Sequence, residues 1–419
     1  MRKQALFILS RYLWPVDGGR KESLKHYIKE LYDNYNYKIT ILCFLEAGQK
    51  VKKSDIPYYI DAIYSFEDTS LLEKIKNVMF FSFFGKKWPI QCSLYYSKKN
   101  IKIIEGYCEL LKPKLIFTEM IRTCMYIDAF RDKCALKLAN IDDLLSLRYK
   151  RQLSSSAFKS NYMGAYENKF PKWINSFFSS RFIKSIVLNI ESKRCELWEN
   201  NFYKDYDFIL LTSDKERDAL NKRMCGNKAK TLSVGVDCNY YSEQFDVVKE
   251  SNTLSFVGNF FIPSNIDSLR MIVKNVFPFL DLNFRFYLIG KYPDFLKKEF
   301  AGNEHIIFCG RVDDLRKYVK KTSVFFAPIS YGTGIKTKIV EAMAMGMPII
   351  TNSVGVEGIN ADIGKDILVY DDYEEMANAI KMLFIDNFFR ERLGFAAQNF
   401  AKRNFRWEKV FDVYKEMNL

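Results

Sequence analysis

The chain has 419 residues, enough for two domains with full cores, and its 48% hydrophobic and 27% charged residues are a globular balance. Nine cysteines without a C-x-x-C spacing, and histidine only at His26 and His305, argue against a disulfide framework, a zinc site or a His-rich metal centre. The formal net charge of +14 favours acidic partners; without a basic low-complexity tail, it points to nucleotides or an anionic membrane surface and away from nucleic acid.

Met1-Arg2-Lys3 and the apolar run behind it imitate a signal peptide, but Arg11 interrupts the run and no small-residue cleavage site follows. Residues 5–9 therefore read as a first strand. No apolar stretch approaches the ~20 residues of a membrane-spanning helix, so the expected location is cytoplasmic, with peripheral attachment to the inner face of the plasma membrane. Pro15-Val16-Asp17-Gly18-Gly19 forms a turn, and a helix over 20–32 with a strand over 38–44 completes a βαβ unit. Gly18 and Gly19 then sit at the mouth of the first strand, where backbone can approach a ligand closely; an ordinary tight turn accounts for them equally well.

Further strands are expected at 62–65, 115–118 and 137–140. The stretch 148–184 interleaves Arg148, Lys150, Arg151, Lys159, Lys169, Lys172, Arg181 and Lys184 with aromatic residues and carries Glu167 as its one acid. That character suits an anionic membrane surface, or a helical arm packing its aromatics on a core. A strand over 206–213, a short one over 232–236 and a polar linker over 243–252 follow. A second α/β set begins at 254–257, with the loop Gly258-Asn259, a helix from 264, strands at 284–289 and 305–308, and the loop Gly310-Arg311-Val312-Asp313.

Residues 322–352 form the most informative stretch: a buried strand, a turn broken by Pro328 and Tyr331-Gly332-Thr333-Gly334, a helix closed by Gly346 and Pro348, and a second strand. Between 339 and 350 the one ionisable side chain is Glu341, which is costly to bury on so apolar a helix unless it is hydrogen-bonded. Lys336 stands at the helix start, where the helix dipole favours an anion. An anionic ligand at that N-terminus resolves both oddities: free N–H groups and Lys336 would hold a phosphate, and Glu341 would accept hydrogen bonds from an adjacent diol. A solvated Lys and Glu on a partly exposed helix remains open. A P-loop does not fit, because Ile335 and not glycine precedes Lys336.

The segments FVGNFFIPSNIDSLR at 256–270, GRVDDL at 310–315 and YGTGIKTKIVEAMAMGMPIITNSVGVEGI at 331–359, with SVGVDCNYY at 233–241 and FRWEKVFDVY near the end, resemble family 4 glycosyltransferases of the GT-B fold. The resemblance implies two Rossmann-like parallel-sheet α/β domains facing a cleft: residues 1–242, to which a C-terminal helix at 405–419 returns, and 250–404, which holds the nucleotide-sugar. It implies a hexosyl-type transferase that retains anomeric configuration, with a glycan or lipid-linked acceptor, in bacterial cell-surface polysaccharide synthesis. Glu341 matches the glutamate on the donor ribose. Gly334-Ile335-Lys336-Thr337 matches the loop at the sugar and diphosphate, Arg311 and Val312 lie beside the nucleobase, and Gly18 and Gly19 contact the donor phosphate.

Two departures matter. Thr333 stands where many members have a second glutamate, and Asn259 and Asn265 stand where many have Arg and Lys beside Gly258. Charge compensation is therefore reassigned to Lys336, which with Gly334 and Thr333 forms the expected catalytic group. No metal and no cofactor beyond the nucleotide-sugar co-substrate is expected; Asp205-Tyr206-Asp207 imitates the acidic motif of metal-dependent GT-A enzymes but lies in the wrong half. A nucleotide-sugar epimerase or a non-catalytic GT-B partner subunit would share the same donor pocket.

Overall fold

The computed structural model describes residues 2–16, 18–45, 48–52, 56–66, 69–154 and 181–419. Most of the basic aromatic stretch 148–184 thus lies outside the described residues. Met1–Leu147, Ile190–Ser233 and Phe411–Leu419 form one compact unit; Arg148–Asn189 and Val234–Val410 form a second.

The first unit holds a seven-stranded parallel sheet built from β1 (Lys3–Leu9), β2 (Tyr37–Cys43), β3 (Ala62–Ser65), β4 (Leu115–Glu119), β5 (Leu136–Asp142), β6 (Phe208–Leu211) and β7 (Ala229–Thr231). Their order is β3-β2-β1-β4-β5-β6-β7. β1 is apolar from Ala5 to Leu9 without alternation because helices cover both faces of such a sheet. The helix Gly19–Asp33 buries Leu24, Tyr27, Ile28 and Leu31, the i, i+3, i+4, i+7 stripe that docks it on the sheet. The strand expected over 232–236 is displaced: the ladder to β6 uses Ala229–Thr231, and Val236 makes a single bridge with Arg406. Leu232, Val234 and Val236 are buried all the same, so the apolar pattern marked core without marking a ladder.

The second unit repeats the plan with β8 (Thr253–Val257), β9 (Arg285–Ile289), β10 (Ile306–Gly310), β11 (Val324–Phe326), β12 (Ile349–Thr351) and β13 (Leu368–Val369), all parallel, in the order β10-β9-β8-β11-β12-β13. Its core runs through Leu254, Phe256, Phe286, Phe325, Ile339, Met343 and Ile349. The helix Thr337–Ala344 ends as its sequence indicates: Gly346 takes φ +76°, and the N–H of Met347 bonds the carbonyl of Ala342 at 3.0 Å.

Candidate functional site

In each sheet, successive strands are added outward in opposite directions from a central pair, β1/β4 in the first unit and β8/β11 in the second. The crevice outside the carboxyl ends of such a pair is where open α/β sheets bind ligands.

In the second unit the loop after β8 is shaped by contacts between backbones. Gly290, at φ +134°, leaves no room for a side chain: a Cβ there would lie 1.9 Å from the carbonyl oxygen of Gly258. A Cβ on Gly258 would itself meet the Asn265 amide at 3.1 Å and the Lys338 ammonium at 3.3 Å. Asn265 is buried and uses both ends of its amide, donating to the Asn259 carbonyl at 2.8 Å and accepting from Lys338 Nζ at 2.7 Å. Lys338 also lies over the Phe256 ring, 4.4 Å from its centroid. Burial of the ammonium is the main reason that the Lys338 pKa falls to about 7; Glu341 pulls it up and Lys336 pushes it down.

Lys338 and Glu341 are three residues apart on the helix Thr337–Ala344 and share a face. Ile339, Val340, Ala342, Met343 and Ala344 are buried, whereas Thr337, Lys338 and Glu341 keep partial exposure. The apolar surroundings of Glu341 in the sequence are therefore the inward side of the helix, and the carboxylate belongs to its open side.

Lys336 behaves differently. It is the N-cap residue, just outside the helix, and its ammonium donates to the carbonyls of Thr333 at 3.2 Å and Gly334 at 2.6 Å. Gly334 takes φ +67°, a conformation that favours glycine. Thr333 is buried, and its hydroxyl accepts from Arg148 Nε at 3.1 Å. Arg151 donates to the Gly332 carbonyl at 3.2 Å and grips both carboxylate oxygens of Glu357. Two arginines of the basic stretch thus clasp the glycine loop from inside the second unit. Arg311 is exposed and Val312 partly so on the loop after β10, Ile335 is partly exposed, and Asn259 is exposed.

The first unit carries a charged cluster at its own crevice. Glu119, at the end of β4, has no solvent exposure; it accepts from the Ser10 N–H at 3.0 Å, the Ser10 hydroxyl and Arg20 Nε at 3.4 Å. Arg20 Nη1 also donates to Asp142 Oδ1 at 2.7 Å, while Arg11 stands 4.0 Å from Glu119. Burial alone would raise the Glu119 pKa; the charges of Arg11 and Arg20 and the Ser10 hydrogen bond outweigh it and hold the value at about 2. Gly18 is exposed as the N-cap of the helix Gly19–Asp33, and a Cβ there would meet nothing within 4 Å. Its own fold therefore supplies no steric reason for glycine at that position.

Sequence reasoning missed Lys338, Arg148, Arg151 and the Arg20–Glu119–Asp142 cluster as elements of these sites. Among the described residues no group of three or more His, Cys, Asp or Glu side chains is arranged to hold a metal ion. Asp205 and Asp207 are engaged in the fold, Asp205 with Arg131 and Asp207 with the Lys137 N–H at 2.7 Å.

Comparison with known proteins agrees with this architecture. Residues 251–386 match the family described as Glycosyl transferases group 1. An uncharacterized glycosyltransferase, MJ1069 of Methanocaldococcus jannaschii, is 23% identical over 438 residues, covering 100% of this chain and 98% of its own. An uncharacterized 44.6 kDa protein in the cps region of Klebsiella pneumoniae is 24% identical over 173 residues, which is 38% of this chain and 45% of that protein. Among solved structures, sucrose-phosphate synthase of Thermosynechococcus elongatus superposes with a TM-score of 0.68 at 14% identity, covering 99% of both chains. Anabaena Alr3699/HepE, solved with UDP and glucose, gives 0.63 at 14% identity, again over 99% of both. With its two switch-point crevices and these likenesses, the chain has the GT-B fold, and its second unit carries a Glycosyl transferases group 1 domain at residues 251–386.

Proposed function

We propose that the protein transfers a hexose from a nucleoside diphosphate sugar to a glycan or lipid-linked acceptor, with retention at the anomeric carbon, in cell-surface polysaccharide synthesis. The observation that carries this reading is the open face of the helix Thr337–Ala344: the Lys338 ammonium beside Gly258 and, three residues on, the Glu341 carboxylate, both at the switch point of the second sheet. A cation next to close-packed backbone suits a diphosphate, and a carboxylate a turn away suits a ribose diol. The neighbour solved with UDP-glucose and the relative from a cps region support the donor class and the pathway class. The motif agreement noted in the sequence supports family 4 and, through it, retention.

In this reading Lys338 supplies side-chain charge for the departing diphosphate, and Lys336 holds the Thr333 and Gly334 carbonyls so that the loop keeps its shape. Pre-placed charge of this kind stabilises a leaving group without reorganising during the reaction. The test is a thermal-shift panel of nucleoside diphosphates, followed by mass spectrometry of the products of the preferred sugar nucleotide with and without acceptor. Glu341→Ala should weaken the preferred nucleotide by about 1.5–3 kcal/mol, the range for a hydrogen bond to a charged group. Unchanged affinity would overturn the ribose assignment.

A further inference from the structure

We propose that residues 71–87 of the first unit form a docking surface for an anionic lipid bilayer. This inference stands apart from the donor-site reading. The segment consists of the helix Leu71–Asn77 and a π-helical turn, Val78–Phe84. Its inward side is partly polar: Asn77 Nδ2 donates to the Tyr96 carbonyl at 2.8 Å, and the Ser82 and Ser93 hydroxyls bond at 2.7 Å in a fully buried position. Its outward side is apolar: Leu71, Leu72, Ile75, Met79, Phe80, Phe83 and Phe84 are all exposed, Leu72 by 79% and Phe84 by 71%. A helix selected to face water has the reverse arrangement. An apolar surface of this extent marks an interaction site.

The projection is held in place. Phe81 stacks on Trp88 with centroids 4.3 Å apart, and Trp198 donates its indole N–H to the Lys87 carbonyl at 3.1 Å. The Gly85 N–H closes the π-turn on the Phe80 carbonyl at 2.8 Å, and a Cβ on Gly85 would lie 2.8 Å from that same oxygen. The turn therefore needs glycine to present its phenylalanines.

Charge selects the partner. Lys76, Lys86 and Lys87 are exposed around the apolar tip, and Glu73 is the one acid between 71 and 88. Beside the tip, a cavity of about 640 Å³ is lined by Lys76, Phe80, Tyr96, Lys98 and Lys99, with Glu73 as the one acid of its lining. Lys98 and Lys99 open the helix Lys98–Leu111, whose first turn contains no acid, so the cavity joins a helix N-terminus to side-chain cations. Aromatic and aliphatic side chains at the centre with lysines around them match the acyl boundary and the phosphates of an anionic leaflet. Its helical part, 71–84, is fourteen residues long and short of the ~20 a span requires, so the segment lies in the interface and does not cross.

Flotation of the full chain with phosphatidylglycerol and with phosphatidylcholine vesicles tests the proposal. Wild type should float with phosphatidylglycerol at least tenfold more than with phosphatidylcholine, with binding falling as salt rises. A Leu72→Ser/Phe80→Ser/Phe84→Ser variant should lose at least tenfold in binding while its melting temperature holds, because all three side chains are more than half exposed. Lys76→Gln/Lys98→Gln/Lys99→Gln should lose the preference for the anionic lipid. Neutralising Lys169, Lys172, Arg181 and Lys184 should leave most binding in place. Absence of wild-type flotation, retention of binding by the serine variant, or its loss only in the 169–184 variant would overturn the proposal. So would a wild-type dimer in light scattering that the serine variant dissociates, since the apolar face would then serve self-association.

Discussion

Replacing Lys338 with Met separates its cost to the free protein from its use with ligand. Met keeps an unbranched side chain of similar length and removes the charge that now lies over the Phe256 ring. With its pKa lowered to about 7, Lys338 is half protonated in the folded protein at neutral pH, while the unfolded chain carries it fully charged. The unfolded state thus binds more protons between pH 7 and ~10.4, so stability rises with pH across that window and the penalty is complete below it. The depression corresponds to an upper bound of about 4.5 kcal/mol; because the side chain is half-buried and not sealed from water, about 2 kcal/mol is the expected cost. Lys338→Met should therefore stabilise the ligand-free protein by about 1–2 kcal/mol at pH 6.5, and the gain should fade towards pH 10.

Nucleotide binding should move the other way. A diphosphate beside Lys338 raises its pKa, so at pH 8, where the free amine is about 9% protonated, binding should take up about 0.9 proton. Titration calorimetry in two buffers of different ionisation enthalpy reads that number directly. Lys338→Met should abolish the uptake and weaken the nucleotide by roughly 10–100-fold, the loss of one charge-assisted hydrogen bond. A variant that binds as well as wild type, or wild-type binding at pH 8 without proton uptake, would refute the assignment. In that case Arg20, beside Gly18 and Gly19, would be the next cation to examine.

Arg151→Lys cannot reproduce the two-pronged grip on Glu357 and should cost about 1–3 kcal/mol in melting experiments, with faster amide exchange at 332–337 as the local readout. Glu119, held at about 2 by Arg11 and Arg20 against its burial, contributes stability above its unfolded value near ~4.3 that is lost as pH falls through about 2. Glu119→Gln should destabilise by about 3–5 kcal/mol at pH 7 and flatten acid denaturation between pH 4 and 2; an unaltered acid limb would place that transition elsewhere.

The strand and helix pattern of both sheets was legible because parallel strands are apolar on both faces and the glycines at 258, 334 and 346 punctuate them. Which lysine of Gly334-Ile335-Lys336-Thr337-Lys338 faces the crevice was not. That choice depends on the helix beginning at Thr337: Lys336 falls just outside and folds back on its own loop, while Lys338 lands on the face it shares with Glu341. Only a shift of two residues in the start would give Lys336 the place in the first turn that Lys338 holds, and helix starts are the least legible feature of a sequence. Arg148 and Arg151 were hidden for another reason, since their partners at 332, 333 and 357 are more than 180 positions away. The stretch 71–84 shows the converse relation of pattern to packing. Leu72, Ile75, Met79, Phe80, Phe83 and Phe84 have the spacing of a core helix, yet the side that packs inward is marked by Asn77 and Ser82, whose buried hydrogen bonds fix its orientation. Hydrophobic spacing reports a face; only the placement of its polar groups tells whether that face meets the core or something outside it.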